Sequence, residues 1–380
     1  MIDELTLHIG HPKTGTTSLQ ATFYESASVL ARHGVFYDTR NRTHHRFARI
    51  AQGYADDLTK CKPLRELTDD IAASKLPRAF IGSEAFVRCT RAQAQAFVEH
   101  LRRFARRVKV LLYVRHPVTY AASAAHQGAR IGRPLAAIVA EPRILDLTDL
   151  IATWRKAVGA DNLIVRPFAR PLLTNGDVID DVLGVMGALD AAPDMTRVQV
   201  NEGLSVLGIH LIDAANRLVD DPPVPQRLIR IFEAIEGPRY VIPEPALAMA
   251  AVQAEPHLAM LERDFGIRLP APTETPSDPV GLSPAELESL AKVMLTAADY
   301  IDAWDRAPAS RIVGLTSPFA RVIDRPPQNV ASALGRLGLG GWLGPREAST
   351  IERKISEADD REEARERIRD QRRAGRERLV

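Results

Sequence analysis

The sequence predicts an α/β fold in which a parallel β-sheet lies between two layers of helices. Three observations lead there. Short apolar runs of strand type alternate with segments of helical period as far as about Gly187, and crossover units of that kind build parallel sheets covered on both faces. Each run closes in polar residues, at the strand ends where sheets of this class bind their ligands. The first crossover opens with a glycine-containing turn, GHPKTGTT, at Gly10 to Thr17.

The elements follow in order. Leu5, Leu7 and Ile9 alternate with Thr6 and His8, the period of a strand. After the turn, Leu19, Phe23, Ala27 and Leu30 recur at helical spacing up to Gly34, a C-terminal stop. A second strand candidate precedes RTHHRF, which carries His44 and His45. AFIG, Ala79 to Gly82, reads as a third strand ending at Ser83 and Glu84; Arg91 to Arg107 reads as a helix; and KVLLYV, Lys109 to Val114, is a buried strand. Helices are predicted from near Pro117, from Asp146 to Val158 and near Asp177 to Gly187, with a strand in NLIVRPF between the last two. From Asn201 to Phe265 the chain reads as mostly helical, with proline breaks. The segment LPAPTETPSDPVGLSP is too rich in proline and short polar residues for a core element. These signals predict an α/β domain over 1–270, a proline-rich linker over 271–284 and a helical, charged extension over 285–380, beginning with a helix from Pro284 to Trp304. From Arg346 onward 11 Arg/Lys nearly cancel 10 Asp/Glu. With only Ile351, Ile355 and Ile368 as an apolar stripe, that segment reads as a solvated or partner-docking helix, a route to self-association.

Composition narrows the classes. A chain of 380 residues that is 45% hydrophobic can bury a full core. A net charge of +2 is too mild to argue for nucleic acid, but it suits a few basic pockets for an anion. Cys61 and Cys89 lack metal-ligand spacing and form no disulfide framework, which points to a reducing compartment. No apolar run approaches the ~20 residues that span a bilayer, and the acidic start MIDELTLHIG is not a signal peptide. A cytoplasmic location is the expectation.

The turn GHPKTGTT has the two glycines and the final hydroxyl of the nucleotide-binding loop G-x-x-x-x-G-K-[ST], yet Thr16 stands where that loop has lysine. Its lysine, Lys13, lies inside the turn. A glycine turn between strand and helix directs backbone N–H groups and the positive helix end at one point; Thr14, Gly15, Thr16, Thr17 and Ser18 add amides and hydroxyls, and Lys13 adds charge. Such a site wants a phosphate or sulfate. In YVRHPVTYAASAAHQ, Arg115 follows the buried strand and Ser123 lies eight residues on, a pair able to grip a second phosphate.

Together, PKTGTTSLQ after the first strand and the Arg-x₇-Ser spacing at a later strand-to-helix turn resemble the sulfotransferases that use 3′-phosphoadenosine 5′-phosphosulfate (PAPS), most of all a bacterial branch distantly related to the carbohydrate sulfotransferases. The resemblance extends more weakly through SEAF, LIATWRKAVGADNLIVRPF and NEGLS, over roughly residues 1–270. It implies a three-layer sheet with a P-loop-like sulfotransferase architecture and PAPS as co-substrate. It further implies that Lys13 bonds the oxygen bridging sulfur and the 5′-phosphate, that Thr14 to Ser18 hold the 5′-phosphate, and that Arg115 and Ser123 hold the 3′-phosphate. A hydroxyl acceptor, a saccharide above all, would receive the sulfuryl group. No metal is expected, because Lys109 to Val114 ends in Arg115 rather than in the metal-holding aspartate of a nucleotide hydrolase.

The acceptor must lose a proton, which requires a base. Glu84 in GSEAF is preferred, and it resembles the glutamate base of several carbohydrate sulfotransferases; His45, with His44 beside it, is the competitor, and His8, His11 and Arg166 are weaker candidates. Two other functions stay open on the sequence: a nucleotide-dependent kinase or hydrolase with a divergent loop, and a non-catalytic PAPS-binding scaffold.

Overall fold

The computed structural model describes residues 1–54, 57–198 and 203–306; the charged segment from Arg346 and the first two residues of NEGLS lie outside them. Five strands, β1 (Ile2–His8), β2 (Val35–Tyr37), β3 (Arg78–Gly82), β4 (Ala105–Val114) and β5 (Leu163–Pro167), form one sheet in the order β2-β3-β1-β4-β5. Every pairing is parallel. The helices are α1 (Thr16–Glu25), α2 (Ala27–Arg32), α3 (His45–Arg49), α4 (Lys62–Ser74), α5 (Arg91–Leu101), α6 (Pro117–Arg130), α7 (Leu135–Ala140), α8 (Leu147–Val158), α9 (Val178–Val185), α10 (Val206–Leu218), α11 (Gln226–Glu233), α12 (Glu244–Phe265) and α13 (Pro284–Arg306). The chain runs outward from β1 to β2 on one side and returns to the other through β4, so the sheet reverses its winding at β1. Ligands bind outside the carboxyl ends of the strands at such a point.

The period-2 alternation of the strands separates two cores. Leu5, Leu7, Val110 and Leu112 face a cluster with Phe97 of α5 and Trp154 of α8. Leu111 and Tyr113 face the other way, toward Leu19 and Phe23 of α1 and Val182 of α9. Trp154, Phe23 and Phe97 are fully buried, and truncating a buried ring of this size costs roughly 3–5 kcal/mol. The middle layer therefore packs on both faces, as the continuous apolar run Lys109 to Val114 requires.

Two predicted helices are shorter than their sequence pattern. The segment expected to be helical from Arg91 to Arg107 ends at Leu101, and β4 begins at Ala105 because Ala105 pairs with Ile2 of β1; sheet pairing overrides the helical preference of RRFARR. At the other end of α5 the start is sharp, with Thr90 Oγ1 accepting from Gln93 N–H and Gln93 Oε1 accepting from Thr90 N–H. The helix expected to run up to Gly34 is divided at Ser26, whose φ of −107° and ψ of 21° separate α1 from α2. Gly34 is the stop, with φ 76°.

The described residues fall into two units by their contacts. One comprises Met1–Ala124, Leu247–Glu274 and the stretch from Pro142, and it holds the sheet. The other comprises Ala125–Glu141, Gly203–Ala246 and, among the described residues, 275–306. Within the second unit α10 packs against α11 and α13, Asp213 Oδ1 accepts from Leu135 N–H at 2.7 Å, and Asn216 bridges Ala129 O and Val224 N–H. Ser205 of NEGLS caps α10, its Oγ accepting from Gly208 N–H at 3.1 Å. Up to Ser283 the proline-rich stretch contains neither helix nor strand, and Pro284 opens α13. No described helix is long and apolar enough to cross a membrane.

Candidate functional site

The loop between β1 and α1 bends through three left-handed residues: Gly10 (φ 77°), Lys13 (φ 67°) and Gly15 (φ 73°). A lysine seldom adopts this conformation. Left-handed residues at 13 and 15 flank Thr14, an alternation that turns successive N–H groups into one concavity. Thr14 fastens the turn, its Oγ1 donating to His11 O at 2.6 Å. Gly15 is the N-cap of α1 and brings no side chain to the first-turn amides, and Thr16 Oγ1 is buried at the helix start with no hydrogen-bond partner. A buried hydroxyl with no hydrogen-bond partner at the start of a helix is what an anion-binding turn presents.

Arg115 stands just past β4, beside the loop. Its Nη1 donates to Lys13 O at 2.9 Å, so this guanidinium braces the backbone of the very residue held in the strained conformation. Ser123 is buried on α6, two turns further on. The loop and the Arg115–Ser123 element, far apart in sequence, are thus joined by a direct hydrogen bond.

On the opposite side of β1, the carboxyl end of β3 carries Ser83 and Glu84. A methyl group on Gly10 would lie 2.6 Å from Glu84 Cα, so the loop reaches this residue only because position 10 has no side chain. Gln20 of α1 also ties the two together, donating to Gly82 O at 2.9 Å. Here the two rival bases become neighbours. His45 Nε2 lies 3.6 Å from Glu84 Oε1, and His45 Nδ1 lies 2.6 Å from Ser83 Oγ. Ser83 Oγ already accepts from Ala85 N–H at 3.2 Å, so its own proton is available to His45 Nδ1; that assignment leaves the histidine proton on Nε2, facing the carboxylate. Glu84 Oε2 is buried with no hydrogen-bond partner. The side chains of His45 and Glu84 are 43% and 31% exposed, so both are partly open to solvent.

The remaining candidates are structural. His44 is fully buried, with Nδ1 accepting from Gly82 N–H at 3.1 Å and Nε2 donating to Asp38 O. Burial pushes its pKa down to about 4 against the opposing pull of Asp38. His8 is buried between the rings of Phe80 and Tyr113, and burial lowers it to about 4 as well. His11 donates from Nδ1 to Pro12 O at 2.8 Å and packs edge-on against Tyr120; burial, with the charge of Arg115 adding, takes it down to about 4 despite that hydrogen bond. Arg166 makes a two-pronged ion pair with Asp181 at 2.5 Å, and the same carboxylate accepts from Tyr113 Oη and from Thr174 N–H and Oγ1. Arg166 therefore anchors α9 to the sheet.

Tyr120, which packs on His11, Gln20, and the pairing of Ser83 with His45 escaped the sequence reading as parts of the site. Only Ser83, adjacent to Glu84 in GSEAF, carried a local signal; the others depend on which helix face meets the loop. Among the described residues no three His, Cys, Asp or Glu side chains gather as a metal-binding group. In comparisons with known proteins, no family model matches the chain and no curated protein matches it.

Proposed function

We propose that this chain transfers a sulfuryl group from PAPS to a hydroxyl acceptor, a saccharide being the class the sequence resemblance favours. The observation that carries the reading is the left-handed Lys13, held in the β1–α1 turn by Arg115 on one side, while Gly10 brings the other side of the turn against Glu84. When bound, the donor supplies a sulfuryl group on a phosphate leaving group. Lys13 would face the oxygen on which negative charge develops. The amides and hydroxyls of Thr14 to Ser18 would hold the 5′-phosphate, and Arg115 with Ser123 the 3′-phosphate. Thr16 Oγ1, buried and unpaired, is an observation that fits such an anion.

Proton removal falls to the Glu84–His45 pair. Glu84 accepts the acceptor's proton, and His45, held by Ser83, stabilises the carboxylate from its other side through Nε2–H. This reading resolves the competition between the two bases by giving each a part.

Calorimetry with adenosine 3′,5′-bisphosphate, with ATP plus Mg²⁺ as control, tests the proposal on the wild type and on Lys13→Ala and Arg115→Ala. The bisphosphate should bind in preference to ATP, and Arg115→Ala should weaken it about 10- to 100-fold through loss of a charge-assisted contact. Lys13→Ala should chiefly reduce transfer of labelled sulfate, by about 100-fold or more. A preference for ATP plus Mg²⁺ would sink the reading in favour of a nucleotide-dependent enzyme.

A further inference from the structure

The proline-rich stretch returns to the site. Gly266, with φ 65°, ends α12, and Gly266 N–H and Ile267 N–H bond back to Glu262 O and Leu261 O. Ile267 and Leu269 then pack against the core on the α5–α8 face of the sheet. The chain that follows reaches α6. There Glu274 Oε2 accepts from Thr119 Oγ1–H at 3.0 Å, and Glu274 Oε1 lies 4.0 Å from Arg115 Nη2. The Arg115 and Glu274 side chains are only 18% and 19% exposed. Thr119 and Ser123 are four residues apart on α6, on one face of the helix.

We infer that Arg115, Thr119 and Ser123 form a single anion seat, that the carboxylate of Glu274 is its intramolecular occupant, and that a 3′-phosphate must displace Glu274 to bind. The inference rests on the donor assigned above, and adds Thr119 as a ligand and Glu274 as a gate. The carboxylate marks where an anion sits against Arg115 and Thr119. It is also held lightly: among the described residues, no backbone–backbone hydrogen bond fastens the segment between Ile267 and Ser277. A phosphate monoester carries about −1.5 to −2 charges near neutral pH, against one on the carboxylate, so it can take the seat. Without that second phosphate a ligand has nothing to gain from Arg115, and Glu274 stays.

Titration of wild type, Glu274→Gln, Glu274→Ala and the double variant Glu274→Gln/Thr119→Val with adenosine 3′,5′-bisphosphate and with adenosine 5′-phosphate tests this. Both Glu274 variants should bind the bisphosphate about tenfold more tightly than the wild type and the monophosphate unchanged. Adding Thr119→Val should then lower bisphosphate affinity by about five- to tenfold. In the wild type, cleavage after Glu274 by a glutamate-specific protease should accelerate when the bisphosphate saturates the protein. Equal bisphosphate affinity in wild type and both Glu274 variants, or cleavage that the bisphosphate leaves unchanged, overturns the gate while the assigned donor stands. If no protein prefers the bisphosphate to the monophosphate, the donor assignment and the seat fall together.

Discussion

Glu84 and His45 illustrate how residues change meaning when their neighbours are known. Each is a sensible base alone, and each has a bland alternative, as a helix cap or a loop histidine. At 3.6 Å from each other, with Ser83 2.6 Å from the far nitrogen of the imidazole, they form a unit. Residues that act as a unit are strongly non-additive. Glu84→Gln at saturating donor should therefore lower turnover by about 10²- to 10⁴-fold, and adding His45→Ala to it should cost little more. Steady-state rates of the two single variants and the double variant decide this. Unchanged turnover in Glu84→Gln removes the carboxylate from the mechanism, and multiplicative losses show two independent groups.

Among the elements, α9 shows what a buried charge can fasten. Asp181 is 1% exposed, and burial alone would raise its carboxyl, but hydrogen bonds from Arg166, Tyr113 and Thr174 outweigh that and hold it below the ordinary range. Its partners come from β4, β5 and the turn before α9, so one carboxylate ties the helix to two strands. Breaking such a pair leaves an uncompensated guanidinium and costs more than the pair itself contributes. Asp181→Asn should lower stability by about 3 kcal/mol in urea unfolding and leave bisphosphate affinity unchanged in the folded protein. A fall in affinity without a loss of stability would instead return Arg166 to the site.

For the whole molecule, the histidines set an acid limit. His8, His11 and His44 are neutral in the fold, each lowered by burial to about 4 from an ordinary 6.5. Between those values the unfolded chain binds protons that the folded chain does not, so stability is full above about pH 6.5 and is lost as the pH falls toward about 4. Urea midpoints measured across that window should drop steeply. His8 contributes without any hydrogen bond to either ring nitrogen, so His8→Leu should flatten the slope and cost little at pH 7, since an apolar side chain of similar size suits a site that leaves both nitrogens unpaired. An unaltered slope would mean that His8 does not titrate as its burial implies.

The alternation of β1, the continuous apolar run before Arg115 and the stop at Gly34 were legible because period and backbone freedom are local properties. They established an α/β chain, the turn with Lys13 inside it and the position of Arg115 at a strand end. The end of α5 was not legible, because the pairing of Ala105 with Ile2 joins residues remote in sequence. Nor was the partnership of His45 with Glu84, the retirement of His44 and Arg166 into structural roles, or the return of Glu274 to Arg115. Each of these is a distance between side chains carried by different elements. Local sequence specifies which elements form and what chemistry they carry; only the packing of one element on another determines which of those groups meet.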